Sequence, residues 1–379
     1  MVASNSLKVG IPVSLSGQFQ VQGRQALAGL QAWVEDVNQA GGFKVGHSDA
    51  GRSVSVIYYD DASKAAQARQ ATDRLIPSDR VDILLGPYSG VLALAAVQVA
   101  EGHGRLLWNQ GGASDTIYQQ GFKWVVGILT PASRYLEGWL PLVRAADPKA
   151  ESLAILRAST GAFPKSVTAE MEHQAAQLGF KISLLREFDA AIDNFRVILD
   201  EVEQARPELL LGVGRIQNDL LLADQLARRD LGLKGVAIVA TPIQQFKDEL
   251  GEAADGFVGP SQWENTGSYA TDYGPIGAEV IASLRSKGYQ AVDYPMVQAY
   301  AAGLVAQRCV EEAGTLEDAA LRVVAGRLDF STFYGRFKID PDTGCQIGRS
   351  TVLVQWQHGS KVVIGQGQSP MVYPWRNPQ

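Results

Sequence analysis

The residues best suited to chemistry in this chain are hydroxyls, amides and glycines gathered in three short loops. They are Ser14-Leu15-Ser16-Gly17-Gln18-Phe19, Gly86-Pro87-Tyr88-Ser89-Gly90 and Asn109-Gln110-Gly111-Gly112-Ala113-Ser114-Asp115. Glycine lets a guest approach the backbone closely, and the hydroxyls of Ser89 and Ser114 add donors. Set beside helix N-termini, whose N–H groups lack partners, such loops receive a carboxylate without an arginine. This is a chemistry of capture.

The sequence does not assemble a catalytic set. His47, His103, His173 and His358 each lack a partner at metal-ligand spacing. Asp60 and Asp61 are adjacent, but successive strand-end residues point to opposite faces and do not share a proton, so helix capping and loop bonding is the expectation. Gly212-Val213-Gly214 approaches a dinucleotide fingerprint, yet Gln217 stands where the third glycine belongs. The next strand ends in Thr241 instead of the acid a ribose requires. With no Walker loop and no nucleophile elbow, the expectation is a non-enzyme without cofactor or metal.

The elements that must position these loops follow from periodicity. Strands are expected at 7–15, 54–59, 81–85, 105–108 and 124–129. Between them lie helices, the first marked by Leu27, Leu30, Val34 and Val37 at helical spacing. Asp61 or Ser63 is expected to cap the helix at 64–76, and Ser89 to open the next. The rhythm restarts with strands at 152–156, 181–185, 209–212 and 236–239, among helices at 133–146, 164–178, 194–205 and 216–229. Helix-rich segments follow at 270–287 and 295–325, and strands at 333–339, 351–356 and 361–365 suggest a hairpin-like tail. Strands separated by helical crossovers imply parallel sheets covered on both faces, and 379 residues suit two lobes.

Composition narrows the partners. A formal charge of -6, without any basic cluster, disfavours a nucleic acid. No uncharged apolar run reaches the ~20 residues of a membrane helix; the nearest, 90–100, breaks at Glu101. The opening Met1-Val2-Ala3-Ser4-Asn5-Ser6 has neither a basic nor an apolar signal region, so the chain is either cytosolic or written without a removed signal. Cys309 and Cys345 could form one disulfide in an exported protein or remain unrelated thiols.

In this order and spacing several stretches carry a family signature. They are Val9-Gly10-Ile11-Pro12 with Leu15-Ser16-Gly17, Asn38 with Gly41-Gly42, Tyr59-Asp60-Asp61, Leu85-Gly86-Pro87-Tyr88-Ser89 and the tail Val372-Tyr373-Pro374. From Lys8 to about Pro374 the chain resembles the leucine/isoleucine/valine-binding family of ABC-transporter solute-binding proteins, with the type I periplasmic fold. The resemblance implies two doubly wound parallel-sheet lobes, three hinge crossovers and a small ligand, an amino acid or related organic carboxylate, enclosed as the lobes close. It further implies an ABC-transporter permease as partner and a periplasmic or extracellular place, with a lipid anchor possible. The lobes are expected at 5–128 plus 262–335 and 129–261 plus 336–375, with crossovers near 127–130, 260–263 and 335–337.

By position, the resemblance gives the first lobe the ligand's carboxylate, through Tyr88, Ser89, Gly90, Gly111, Gly112, Ala113 and, with a one-residue slip, Ser114. Gln18, Phe19 and Gln22 lie close by, Gln22 at a position that is frequently aromatic. In the second lobe Phe163 falls on an aromatic site; Arg215, Thr241 and Gln244 lie at strand ends. Amino-acid binders of this family place an acid after the last of these strands, whereas Thr241-Pro242-Ile243-Gln244-Gln245 contains none. A buried ammonium without a carboxylate is costly. Either another acid such as Asp115 supplies the charge, or the ligand lacks an amine, with Arg215 then a candidate carboxylate partner. The alternative function is a cytosolic amide or amino-acid sensor of the same fold.

Overall fold

A computed structural model describes residues 6–45, 50–267, 269–365 and 367–375. The opening residues 1–5 and His47 lie outside the described residues. The chain divides into two compact units, Met1–Pro131 with Ser268–Arg349 and Ala132–Gly267 with Ser350–Gln379, and so passes from one to the other three times.

The first unit opens with β1 (Leu7–Val13), α1 (Gln20–Gln39), β2 (Val54–Asp60), α2 (Ala65–Leu75), β3 (Ile83–Leu85), α3 (Gly90–His103), β4 (Leu107–Asn109) and β5 (Val125–Gly127). The sheet order is β2-β1-β3-β4-β5 and every pair is parallel. Leu7, Val9 and Ile11 are fully buried in β1, as a central strand covered on both faces demands. The second unit runs α4 (Trp139–Ala146), β6 (Ser152–Ala158), α5 (Ala162–Leu178), β7 (Lys181–Phe188), α6 (Arg196–Ala205), β8 (Leu209–Val213), α7 (Ile216–Ala227), β9 (Gly235–Ile238), α8 (Gln244–Leu250) and β10 (Val258–Ser261). The chain then supplies α9 (Gly277–Ser286), α10 (Tyr294–Ala313), α11 (Asp318–Arg327), β11 (Phe330–Thr332) and β12 (Gly335–Phe337) to the first unit. It ends with β13 (Val352–Gln357) and β14 (Ser360–Ile364) in the second. The second sheet has the order β14-β13-β10-β9-β8-β6-β7, parallel from β7 to β10 and antiparallel through β13 and β14.

Both sheets therefore wind in the same sense. Taken in chain order, β6, β7, β8, β9 and β10 occupy the places that β1 to β5 hold in the first unit. In each, the strand order reverses beside the first strand, between β1 and β3 and between β6 and β8. Open α/β sheets gather ligands at the carboxyl ends flanking such a point.

Several expectations need correction. Strand β1 stops at Val13, because Ser14 turns inward to bond Asp61. Neither Asp61 nor Ser63 caps α2; Lys64 is the capping position and no side chain bonds there. The segment at 133–146 is a short 3-10 turn followed by α4, and 295–325 is two helices. Strand β10 lies where the second crossover was expected, and its Gly259-Pro260 centre hides it from strand propensity. The stretch 333–339 is no part of the terminal hairpin: β12 pairs with β11, and β13 with β14. The third crossover falls at 349/350, which leaves 336–349 with the first unit. That segment is held there by Gly127 N–H donating to the Gly344 carbonyl at 2.8 Å and Gln346 Nε2 to the Ile128 carbonyl at 3.5 Å. Cys309, buried in α10, and Cys345 are not joined in a disulfide.

Candidate functional site

Two acids at the end of β2 organise the loop after β1. Asp61, fully buried, accepts the Ser14 hydroxyl at 2.6 Å and the Ser63 N–H at 2.8 Å. Asp60 accepts Leu15 N–H at 2.9 Å and the Ser16 hydroxyl at 2.8 Å. Burial pushes the Asp61 carboxyl up, against the pull of Ser14 and Ser63. For Asp60 burial acts in the same direction but is outweighed by hydrogen bonds from Ala62, Ser16 and Leu15, which hold it below the usual range. Gly17, at φ +81°, completes this turn with no room for a side chain, since a Cβ would stand 2.7 Å from the Ala62 carbonyl. The pair is thus loop architecture.

The loops after β3 and β4 pack on each other. A Cβ built on Gly90 would stand 3.0 Å from the Ser114 Cβ, and one on Gly111 would stand 2.5 Å from the Pro87 carbonyl oxygen. Gly111, Gly112 and Ala113 are buried, and Gly112 is held by Asn109, whose Oδ1 accepts its N–H at 2.9 Å. The Ser114 hydroxyl bonds Thr116 at 2.9 Å. Ser89 is different. It is the capping position of α3, but its hydroxyl does not cap the helix and has no partner among the described residues. The N–H groups of the first turn of α3 stand beside it, without acceptors by the geometry of any helix end. A half-buried hydroxyl next to an unpaired helix N-terminus can do one thing well: bind an anion.

An aromatic wall flanks this corner. The rings of Phe19 and Tyr88 meet edge to face with centroids 5.8 Å apart, and Tyr88 Oη lies 3.2 Å from Tyr294 Oη at the start of α10. Tyr294 was missed by sequence reasoning, since it stands 206 positions from Tyr88 and no local signal links them. Gln22 is buried in α1, whereas Gln18 is exposed.

In the second unit, Phe163 opens α5 and packs edge to face on Tyr135 at 5.3 Å. Arg215, at the capping position of α7, is exposed. Thr241 is fully buried with its hydroxyl donated to the Val258 carbonyl at 3.1 Å, and the Gln244 amide donates to Asp248 at 2.9 Å. Both of those side chains are engaged within the unit. Residues 241–245 bring no acid, but α7 carries a buried one. Asp219 is buried and accepts Gly214 N–H at 2.7 Å and Ala240 N–H at 3.1 Å. Burial pushes its carboxyl up to about 8, against those two hydrogen bonds. Among the described residues no cluster of His, Cys, Asp or Glu suits a metal ion, and no helix is long and apolar enough to cross a membrane.

A family model described as periplasmic binding protein matches residues 6–361. The chain belongs to this family. It is 22% identical to Leu/Ile/Val-binding protein homolog 1 of Brucella abortus (strain 2308) over 358 residues, 93% of this chain and 91% of the relative. With Leu/Ile/Val-binding protein homolog 8 of the same organism it shares 25% identity over 240 residues, 62% of this chain; that match spans only 57% of the relative's length. Among solved structures it resembles the leucine-binding protein LivK of Thermotoga maritima, with a TM-score of 0.80, 18% identity and coverage of 95% and 98% of the two chains. LivJ of Streptococcus pneumoniae in complex with isoleucine gives 0.80 at 16% identity, covering 97% and 100%. A solute-binding protein of an R. palustris ABC transporter in complex with benzoate gives 0.78 at 20%, covering 97% of each. These structures establish the fold: two doubly wound α/β lobes of the type I periplasmic-binding-protein class. The family is one of binding proteins, not enzymes.

Proposed function

We propose that this protein is the extracytoplasmic solute-binding component of an ABC importer and captures a small organic carboxylate. The observation that carries the reading is the uncapped N-terminus of α3 with the partnerless Ser89 hydroxyl beside it, backed by the buried glycines 111 and 112. The first unit supplies the carboxylate's donors and the Phe19–Tyr88 wall. In the second unit, taken by itself, the Phe163 ring and the strand-end backbone near Gly214 and Thr241 are the proposed ligand-facing groups.

A ligand without an amine fits this chemistry better than an α-amino acid. Asp219 is 1% exposed behind the two backbone N–H groups it accepts, and residues 241–245 bring no acid, so an ammonium would find no exposed carboxylate at those strand ends. Aromatic acids of the benzoate type are the first class to test, with branched-chain amino acids second. Arg215, exposed and without an ion pair among the described residues, can meet a second polar group of the ligand.

The test is isothermal titration with benzoate, 4-hydroxybenzoate, leucine and isoleucine. One-to-one saturable binding of at least one of them, weakened about tenfold in Ser89→Ala, is expected, since a hydrogen bond to a charged group contributes about 1.5–3 kcal/mol. No binding across the panel would end the reading. Binding that Ser89→Ala leaves unchanged would move the carboxylate elsewhere.

A further inference from the structure

Asp219 is a costly choice for its position. It is 1% exposed; among the described residues no cation pairs with it, and its partners are two backbone N–H groups. Those N–H groups belong to different loops, Gly214 after β8 and Ala240 after β9. Its carboxyl accepts from both at once, one oxygen for each. An aliphatic residue would leave two buried donors without acceptors. The neighbouring residue extends the tie: Asn218 accepts Arg215 N–H at 3.1 Å and donates to the Ala190 carbonyl, in the loop after β7, at 3.0 Å. Gly214 leaves no slack, since a Cβ there would stand 2.7 Å from the Asn218 Cβ and 3.0 Å from Asp219 Oδ1. Two consecutive side chains thus bind three successive strand-end loops of the second unit into one piece.

We propose that Asp219 is a positioning residue for ligand binding, setting the loops after β8 and β9 at a fixed separation so that the backbone around Gly214–Arg215 and Thr241 is presented to the ligand already ordered. This rests on the reading that these strand ends meet the ligand. A preset loop pair lowers the entropy lost on binding, and Asp219 acts through it without touching the ligand.

The experiment compares Asp219→Asn with Leu222→Ala, which truncates a fully buried side chain of the same helix that packs by Gly212 within β8 and makes no hydrogen bond to the loops. Asparagine keeps the shape but turns an N–H₂ on one of the two N–H groups. Titration with the tightest binder of the four-compound panel is expected to show at least a tenfold weaker Kd for Asp219→Asn, while Leu222→Ala, destabilised to a similar degree, stays within about twofold of wild type. Amide exchange at Gly214 and Ala240 is expected to accelerate selectively in Asp219→Asn. Equal affinity losses in the two variants, or an Asp219→Asn protein that binds like wild type, would overturn the proposal. Should Asp219→Asn not fold, Gly214→Ala is read in its place with the same expectations. If wild type binds none of the panel, the functional reading fails by itself, and unchanged exchange at the two amides would separately refute the tie.

Discussion

In both units a neighbouring pair of polar side chains ties strand-end loops together, but the ties lie in different places. In the first, Asp60 and Asp61 secure the loop after β1 to the end of β2. In the second, Asn218 and Asp219 secure the loops after β7, β8 and β9. Because the sheets share one strand order, the positions correspond: the loop after β3 in the first unit answers to the loop after β8 in the second. In the first that loop keeps a hydroxyl, Ser89, without a partner among the described residues; in the second it is bound to Asp219. On the proposed reading the units divide the work, one offering donors to a charged group and the other a stiff frame. An aromatic pair accompanies each, Phe19 with Tyr88 and Phe163 with Tyr135.

The sharpest way to break this comparison is to wedge the donor loops apart. Gly111→Val places a Cβ 2.5 Å from the Pro87 carbonyl oxygen and 2.7 Å from the Tyr88 Cα, both backbone atoms that cannot yield cheaply. A stability loss of about 3 kcal/mol in urea unfolding is expected, together with loss of ligand binding. A protein that stays stable and binds would mean the two loops are not fixed on each other.

The frame is tested by pH. Asp219 titrates near 8 in the folded chain against an ordinary 3.8, so the folded state keeps a proton that the unfolded state has lost. That contribution to stability is complete below about pH 4 and is lost as pH rises through 8, at up to about 1.4 kcal/mol per pH unit in between. Urea midpoints measured from pH 5 to 8 should fall more steeply in wild type than in Asp219→Asn. Identical profiles would show that Asp219 is not the buried acid described. Asp61, also pushed up by burial, has the same sign and remains in both proteins.

A smaller contrast separates the two hydroxyls. Thr241→Val removes a buried bond to Val258 and should cost about 1 kcal/mol of stability with little change in affinity. Ser89→Ala should do the reverse, with affinity falling and stability held. Reversed results would exchange the roles given to the two loops.

The β–α rhythm was legible because central strands and amphipathic helices differ in period, and Leu27, Leu30, Val34 and Val37 all proved buried in α1. What escaped depends on contacts distant in sequence. Strand β10 carries Gly259 and Pro260 and is a strand only because β9 and β13 flank it. The last crossover was misplaced because 336–349 is held by Gly127 and Ile128, some two hundred residues earlier. The three candidate loops were named from their glycines and hydroxyls alone. That Ser114 is engaged by Thr116 while Ser89 is not could not be read. Asp219 looks in sequence like any helix acid, and its bond to Ala240 exists only because the loop after β9 folds over it.

The account stands on a charged carboxyl group meeting the α3 N-terminus and Ser89. Titrating the tightest-binding acid of the panel against its methyl ester, which removes the charge at the cost of one added methyl group, tests this directly. The ester should bind at least a hundredfold more weakly, with the difference reduced in Ser89→Ala. An ester that binds as tightly as the acid would contradict it.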